Sequence, residues 1–401
     1  VGNSTSTVRA VGMMLVFFLS QWIGRSYDML NALGGMVCIL LWENPFLIEN
    51  MGFWFSVTAL LGVGIVGKEM WMSVGITLAT LPITALAYYE IPLYSSIVNF
   101  IVLPILTPIF CLAVVGGFVG ALVPELNIFF FLLKLCEGFL AFSEEICTFV
   151  SKLPGASVVC GKPEWWQIVI YYVLLFGGIY LLKHVKVQKK CGIIVVIVLL
   201  CSLCMFFPKD KPFEITFLDV GQGDGIYISA GDGTTYFIDG GSSSVNKVGE
   251  YRILPFLKAK SIRKIDYWFV SHCDMDHISG LLEILENGYK IEHIVLHEHS
   301  STSEMKIALI EIAKKKGVEV LEIEAGDRIC SKYIEFTCMA PLAGNESSKD
   351  LNENSLVLKM DWGSSNGLKD YSALFAGDIS IETETMLCER RVFEEVDLFK
   401  A

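Results

Sequence analysis

Charge is scarce in the first 207 residues of this 401-residue chain, which hold ten Lys and Arg against ten Asp and Glu. That scarcity excludes a soluble globule for this part, because a solvated surface needs charged side chains in quantity. In the remainder positive charge is the scarcer sign, with 21 basic against 33 acidic residues, so the whole net charge of −12 sits there. A broad basic face of the kind that grips a polyanion is therefore not expected on it. Disulfide and zinc-finger spacings are missing too. Of twelve cysteines, eight fall in or near apolar blocks, where Cys acts as a small hydrophobe, and Cys273, Cys330, Cys338 and Cys388 form no paired pattern. The first apolar block carries neither a basic leader nor a small-residue cleavage site, so it reads as a retained segment and not as a signal peptide.

What the chain has is apolar sequence, 53% of its residues, unevenly placed. A membrane span needs about 20 mostly apolar residues, because no water is present to satisfy free backbone groups. Blocks near 10–24, 28–43, 47–66, 70–89, 95–123, 127–150, 165–183 and 191–207 meet or approach that length, which predicts about eight helices. The second is short, and the fifth is long enough to tilt or break at Pro104 and Pro108. "KHVKVQKK" (183–190) is the most basic connection and is expected on the cytoplasmic side. Alternation then puts Arg25 and Lys68 inside, Arg9, Lys152 and Lys162 outside, and carries the chain beyond residue 207 to the outer face. Lys134, Glu137, Glu144 and Glu145 lie in the sixth block, either as a polar stripe along a pathway or on an interfacial helix whose charges snorkel. The expected division is a polytopic membrane domain over 1–207 and an acidic soluble domain over 208–401. The loop-like opening "VGNSTSTVRA" suggests that further sequence precedes it.

Past Pro212 the pattern changes to strand and turn. "EITFLDVGQGDGIYISAGDGTTYFIDGG" alternates β-branched and aromatic residues between Gly-Asp turns, as hairpins do. "IDYWFV" and "IEHIVL" read as buried strands, "SGLLEILENG" and "SEMKIALIEIAKKKG" as helices, and "VEVLEIE", "IEFTCMAPL", "NSLVLKMDW" and "YSALFAGD" as further strands. A helix "IETETMLCER" and a strand start "VDLFKA" come after them. Sheets interleaved with helices indicate an α+β layered sandwich.

The densest chemistry is "SHCDMDHISG" (271–280), where His272, Asp274, Asp276 and His277 occupy four of six positions on an expected tight loop after a strand. Such a loop can turn alternate side chains toward two neighbouring sites, His272 and Asp274 to one ion and Asp276 and His277 to a second. Two ions about 3.5–4 Å apart can clamp the attacking and leaving oxygens of a phosphoryl group. The bland alternative is a polar turn capping the next helix. Mixed imidazole and carboxylate ligands suit zinc, and the oxygen-rich bias also suits manganese.

"SHCDMDHISG", with "FLDVGQGD" and "FIDGG" before it and "NENSLVL" and "LFAGD" after it, resembles the metallo-β-lactamase domain of ComEC-type competence proteins, and residues 6–63 resemble that family's membrane domain. The resemblance implies a multi-pass α-helical membrane domain followed by an α/β-β/α metallo-β-lactamase-like sandwich, with a pair of divalent ions, Zn or Mn. It implies metal ligation by His272, Asp274, Asp276, His277 and Asp378, with Asp276 and His277 central to catalysis. Asp274 stands where most hydrolases of this fold carry a histidine, as in the competence type. Asp239 is implied as the aspartate that holds the metal loop. Gln222 and Asp224 are implied near the site, with a purely structural turn role equally open, and Asn354 and Ser355 match an Asn-Ser pair that could equally be a strand-start hydrogen-bonding pair. His293, His297 and His299 read as surface histidines and not as replacement ligands. The family also implies an amino-terminal domain before Val1 and a His-His-Gly-Ser ligand motif after Ala401, so both domains are expected to be incomplete in this chain.

The expected function is a bacterial cell-membrane channel component for uptake of single-stranded DNA during transformation. Its outer domain would hydrolyse the strand that is not transported. DNA, the lipid bilayer and other competence-machinery proteins are the expected partners, and a homo-oligomer is left open. Two alternatives stand beside this: a transport component whose hydrolase-like domain only binds or gates, and a membrane-anchored phosphodiesterase without transport.

Overall fold

The computed structural model describes residues 5–66, 72–122, 128–184, 187–206, 211–297, 304–341, 354–363, 369–389 and 395–400. The chain divides into two compact units, Val1–Phe207 and Pro208–Ala401.

The first unit is helical: α1 (Thr5–Ile23), α2 (Met29–Glu43), α3 (Met51–Val66), α4 (Met72–Tyr88), a short strand β1 (Glu90–Pro92), α5 (Ser95–Leu122), α6 (Ile128–Ser151), a second short strand β2 (Ser157–Val159), α7 (Trp165–His184) and α8 (Val187–Met205). Among the described residues three helical stretches are long and apolar enough to cross a membrane, Thr5–Ile23, Ser95–Leu122 and Trp165–Leu182. Two expectations change here. The opening segment is helical from Thr5, and Arg9 is buried, its guanidinium donating to the Ser56 carbonyl across to α3. The fifth block does not break: α5 runs for 28 residues through Pro104 and Pro108. Asp28 caps α2, accepting from the Asn31 amide at 2.9 Å. On α6 the buried Cys136 and Ser143 mark one face, Cys136 reaching the Ile109 carbonyl of α5, while Lys134, Glu137, Glu144 and Glu145 are exposed. β1 pairs antiparallel with β2, so the α4–α5 and α6–α7 connections meet on one side.

The second unit carries β3 (Phe213–Phe217), β4 (Gly225–Ala230), β5 (Thr235–Asp239), α9 (Leu254–Ala259), β6 (Lys264–Phe269), α10 (Met275–Glu286), β7 (Lys290–His297), α11 (Glu304–Lys316), β8 (Glu319–Ile323), β9 (Arg328–Cys330), β10 (Ile334–Ala340), β11 (Val357–Trp362), β12 (Tyr371–Phe375), α12 (Ile381–Glu389) and β13 (Leu398–Lys400). Six strands in the order β3-β4-β5-β6-β7-β8 form one sheet, and five in the order β13-β12-β11-β10-β9 form the other. Strand alternation builds the layers. In the first sheet Ile226, Ile228, Tyr236 and Phe269 face Phe336, Leu358, Met360 and Phe375 of the second. Tyr227, Phe237 and Trp268 point the other way, onto Ile278, Leu281 and Ile284 of α10 and Leu309 of α11. β4 and β5 are covered on both faces and are buried throughout, which is why Ile, Tyr and Phe fill their middles while Ser229, Thr235 and Asp239 are the buried polar exceptions. Behind the second sheet, Ala340, Val357 and Leu374 pack on Leu387 of α12. The result is helix, sheet, sheet, helix. β9 and α9 are not legible in the sequence, because three- and six-residue elements carry too little periodicity.

β5, β6, β7 and β8 are mutually parallel. Their carboxyl ends therefore share one edge, the usual place for a site in such a sheet.

Candidate metal centre

Five segments converge on that edge. Pairing of Ile238 with Phe269 brings Asp239, at the end of β5, level with the residues leaving β6. Gly225 pairs with Asp239, which sets Asp224 of the β3–β4 turn beside it. From the second sheet, the Leu356 amide donates to the Ser271 carbonyl at 2.8 Å and delivers Ser355, and Asp378 comes just after β12.

The metal-type residues do not all lie on a loop. His272 and Asp274 do, but Asp276 and His277 belong to the first turn of α10, with Asp274 at its N-cap. The Asp274 side chain makes no capping bond, so it is free to face His272, 3.6 Å from Nε2. The expected pairing of ligands also changes. Donor atoms of His272, Asp274 and Asp276 gather within 4.8 Å of one another, and so do those of His272, His277 and Asp378. His272 is thus common to both groups, and Asp276 sits with His272 and Asp274 rather than with His277.

Both imidazoles are buried, 3% and 1% exposed, with ring centroids 4.0 Å apart. Each is held from behind at Nδ1. His272 Nδ1 lies 3.1 Å from Ser271 Oγ and 3.3 Å from Ser355 Oγ. His277 Nδ1 lies 3.1 Å from Asp239 Oδ2, and its Nε2 lies 3.2 Å from Asp378. Asp239, itself buried, also accepts from the Ser271 amide at 2.7 Å, and its carbonyl takes the Trp268 indole N–H at 2.6 Å. Anchoring at Nδ1 with Nε2 turned toward a rim of carboxylates is how ligand histidines are oriented. The donor set therefore fits a divalent ion: His272 and His277 with Asp274, Asp276 and Asp378.

Electrostatics agree with that reading. Burial opposes charge on His277, but its hydrogen bonds to Asp239 and Asp378 prevail and raise its pKa to about 10. The same contact with His277 lowers Asp378. Burial lowers His272, and the neighbouring His277 charge adds to the effect. A proton thus occupies the place a cation would take. Burial pushes the Cys273 thiol up to about 11, and its side chain joins the core under α10, so it is no ligand.

Close approach of backbones builds the floor. A Cβ on Gly241 would lie 2.3 Å from the Asp276 carbonyl carbon, and one on Gly223 2.3 Å from the Asp276 carbonyl oxygen. These glycines of "DVGQGD" and "FIDGG" seat the first turn of α10, and the helix cannot reach its place without them.

Of the other sequence candidates, Asp224 reaches the cluster, grouping with Asp239 and His277. Gln222 is exposed and engages through its backbone, its amide bonded to Ser244 and its carbonyl to Ser243. Ser355 touches His272, and Asn354 is buried beside it in sequence. His293 is half-buried and stacks on Tyr267. His297 is a correction: it is 1% exposed, because it ends an interior parallel strand. Neither joins a metal-type group among the described residues, and His299 lies outside them. Two site residues went unassigned in the sequence. Ser271 contacts both imidazoles. Lys400 of β13 pairs with Asp224. Ser271 was signalled by its place in the motif; Lys400 carried no signal.

Residues 218–322 match the model of the metallo-beta-lactamase superfamily, and the two-sheet sandwich with its site at the strand ends is that fold. Residues 1–185 match the model of the competence protein family, so the chain joins a competence domain to a metallo-β-lactamase domain. It is 24% identical over 416 residues to ComE operon protein 3 of Bacillus subtilis (strain 168), covering 96% of this chain and 51% of that protein. The chain thus spans about half the length of that relative. Among solved structures, it is similar to CmlA, a diiron β-hydroxylase from Streptomyces venezuelae, at 17% identity and TM-score 0.30, covering 54% of this chain and 40% of that one. Zn(2+)-bound PqqB from Methylobacterium extorquens is similar at 12% identity and TM-score 0.30, covering 50% and 65%.

Proposed function

We infer that this chain is a component of a DNA-uptake channel in the bacterial cell membrane, and that its second unit hydrolyses phosphodiester bonds of DNA at a two-ion centre. The observation that carries the hydrolytic reading is the pair of buried imidazoles, each fixed at Nδ1 and each presenting Nε2 to carboxylates. Asp239 and Ser271 orient the rings, and Ser355 closes the back of His272. Asp274, Asp276 and Asp378 supply oxygen ligands at the mouth, with Asp276 and His277 central to positioning. Zn or Mn held there supplies Lewis-acid polarisation of the phosphoryl group. The chain's own contribution is a preformed donor set, which spares reorganisation during reaction.

In this reading the first unit, over 1–207, is a polytopic membrane domain that passes a single strand, and the second, over 208–401, stands on the outer face and degrades the other strand. The β1–β2 pairing supports it: connections on one side imply an even number of crossings by α5 and α6. The basic connection "KHVKVQKK" sets the cytoplasmic side. Other competence-machinery proteins and a second copy are the proposed partners.

A second reading, in which the outer unit binds or gates without cleaving, is favoured by its acidity, 21 basic against 33 acidic residues. One experiment separates them. The purified chain is incubated with linear DNA and Mn or Zn, and His277→Ala is placed in a transformation assay. Metal-dependent cleavage and loss of transformation are expected; no cleavage together with normal transformation refutes the nuclease.

A further inference from the structure

Five carboxylates, Asp224, Asp239, Asp274, Asp276 and Asp378, crowd this edge of the sheets. Two divalent ions offset four of those charges, and a phosphodiester arriving there brings one more negative charge. Two negative charges then remain, which a fixed cation would reduce to one, and the ligand cluster legible in the sequence contains none. The structure supplies Lys400. It sits on β13, which pairs parallel with β12, and its carbonyl accepts from the Ala376 amide two residues before Asp378. Its ammonium pairs with Asp224 across the gap between the two sheets, and its side chain is only 18% exposed. Asp224 groups with Asp239 and His277, so the ammonium stands among the side chains that surround the centre.

We propose that Lys400 is the phosphate-binding cation of this site, exchanging its contact with Asp224 for a non-bridging oxygen of the substrate phosphodiester. The proposal rests on the hydrolytic reading above. It adds substrate recognition by charge, which the acidic unit otherwise lacks, and places that recognition on the second sheet opposite the metal helix. An ammonium is a compact point charge suited to one oxygen. The exchange swaps one anionic oxygen for another, so no proton moves and the ammonium stays paired in both states, while Asp224, 21% exposed, turns to solvent when substrate is bound. Asp224 holds the ammonium in place until substrate arrives.

The competing explanation is a strut that ties the two sheets together. Lys400→Met, Lys400→Arg and Asp224→Asn in the detergent-purified full chain distinguish the two. Three quantities are read: metal content by mass spectrometry, affinity of the Mn-loaded chain for inorganic phosphate by calorimetry, and kcat and KM for bis-p-nitrophenyl phosphate. Lys400→Met is expected to keep its metal and to bind phosphate about 10–100-fold more weakly, the range of a lost charge-assisted hydrogen bond. Lys400→Arg is expected to recover much of that loss. Asp224→Asn, which breaks the same pair from the other side, is expected to bind phosphate as well as the parent or better. Unchanged phosphate affinity in Lys400→Met overturns the proposal, and so does loss of metal or of phosphate affinity to the same degree in Lys400→Met and Asp224→Asn. Lysine-dependent phosphate binding by a parent chain that cleaves no diester upholds Lys400 and overturns the hydrolytic reading alone.

Discussion

Replacing Asp239 by Asn tests the orientation of His277 with little disturbance of the backbone. Asp239 is 1% exposed and has φ 59°, a left-handed conformation that Asn tolerates better than most residues. Its Oδ1 can still accept from the Ser271 amide, 2.7 Å away. What changes is the group 3.1 Å from His277 Nδ1. A carboxylate accepts from Nδ1–H, so the nitrogen that can give up its proton and take a metal is Nε2. An amide N–H donates to Nδ1 instead, which moves the ring proton to Nε2 and blocks the metal-facing nitrogen. Loss of such an outer partner weakens metal binding by about 10–100-fold, equivalent to about 1.4–2.8 kcal/mol. Competition with a fluorescent chelator for Mn or Zn measures it. Asp239→Asn binding metal within threefold of the parent, at unchanged far-ultraviolet dichroism, refutes the orientation argument.

Apparent metal affinity rises with pH in the neutral range. His277 is protonated below about 10 in the metal-free protein, and coordination must displace that proton. Chelator competition at pH 6.5 and 8.5 should give tighter binding at the higher pH, and a flat profile contradicts it. Without metal the sign for stability reverses: a folded pKa above the unfolded value stabilises fully below about 6.5 and the contribution fades as pH climbs toward 10. Gly241→Ala places a Cβ 2.3 Å from the Asp276 backbone and should destabilise the second unit by about 1–3 kcal/mol, read by urea denaturation of its tryptophan signal. Single cysteines replacing Leu93 and Pro154, beside the β1 and β2 segments, should label from the same side of the membrane; labelling from opposite sides would contradict paired crossing by α5 and α6.

The sequence by itself determined the sorting of the chain into an apolar, charge-poor part and an acidic one, because solvent selects residue type directly. It determined most element types through period: the helices of the first unit and the long strands of the second track its hydrophobic blocks. It also named the metal-type residues, since four ligand side chains within six positions have few other uses. Tertiary structure alone decided how they combine. Whether Asp276 faces His277 or Asp274 depends on where the first turn of α10 begins, and that is set by Gly223 and Gly241 clearing room beneath it. Ser355 and Asp378 reach His272 and His277 only because two sheets stack with their edges aligned. Lys400 was invisible for the same reason. A lone lysine in a strand looks like any surface lysine until the fold brings Asp224 to it across 176 positions of sequence. His297 was misplaced because its neighbours read as a strand running into a loop, whereas it pairs with Ile323 at the end of a strand inside the sheet and is buried there. Local pattern reports what each residue can do; long-range packing decides which residues meet.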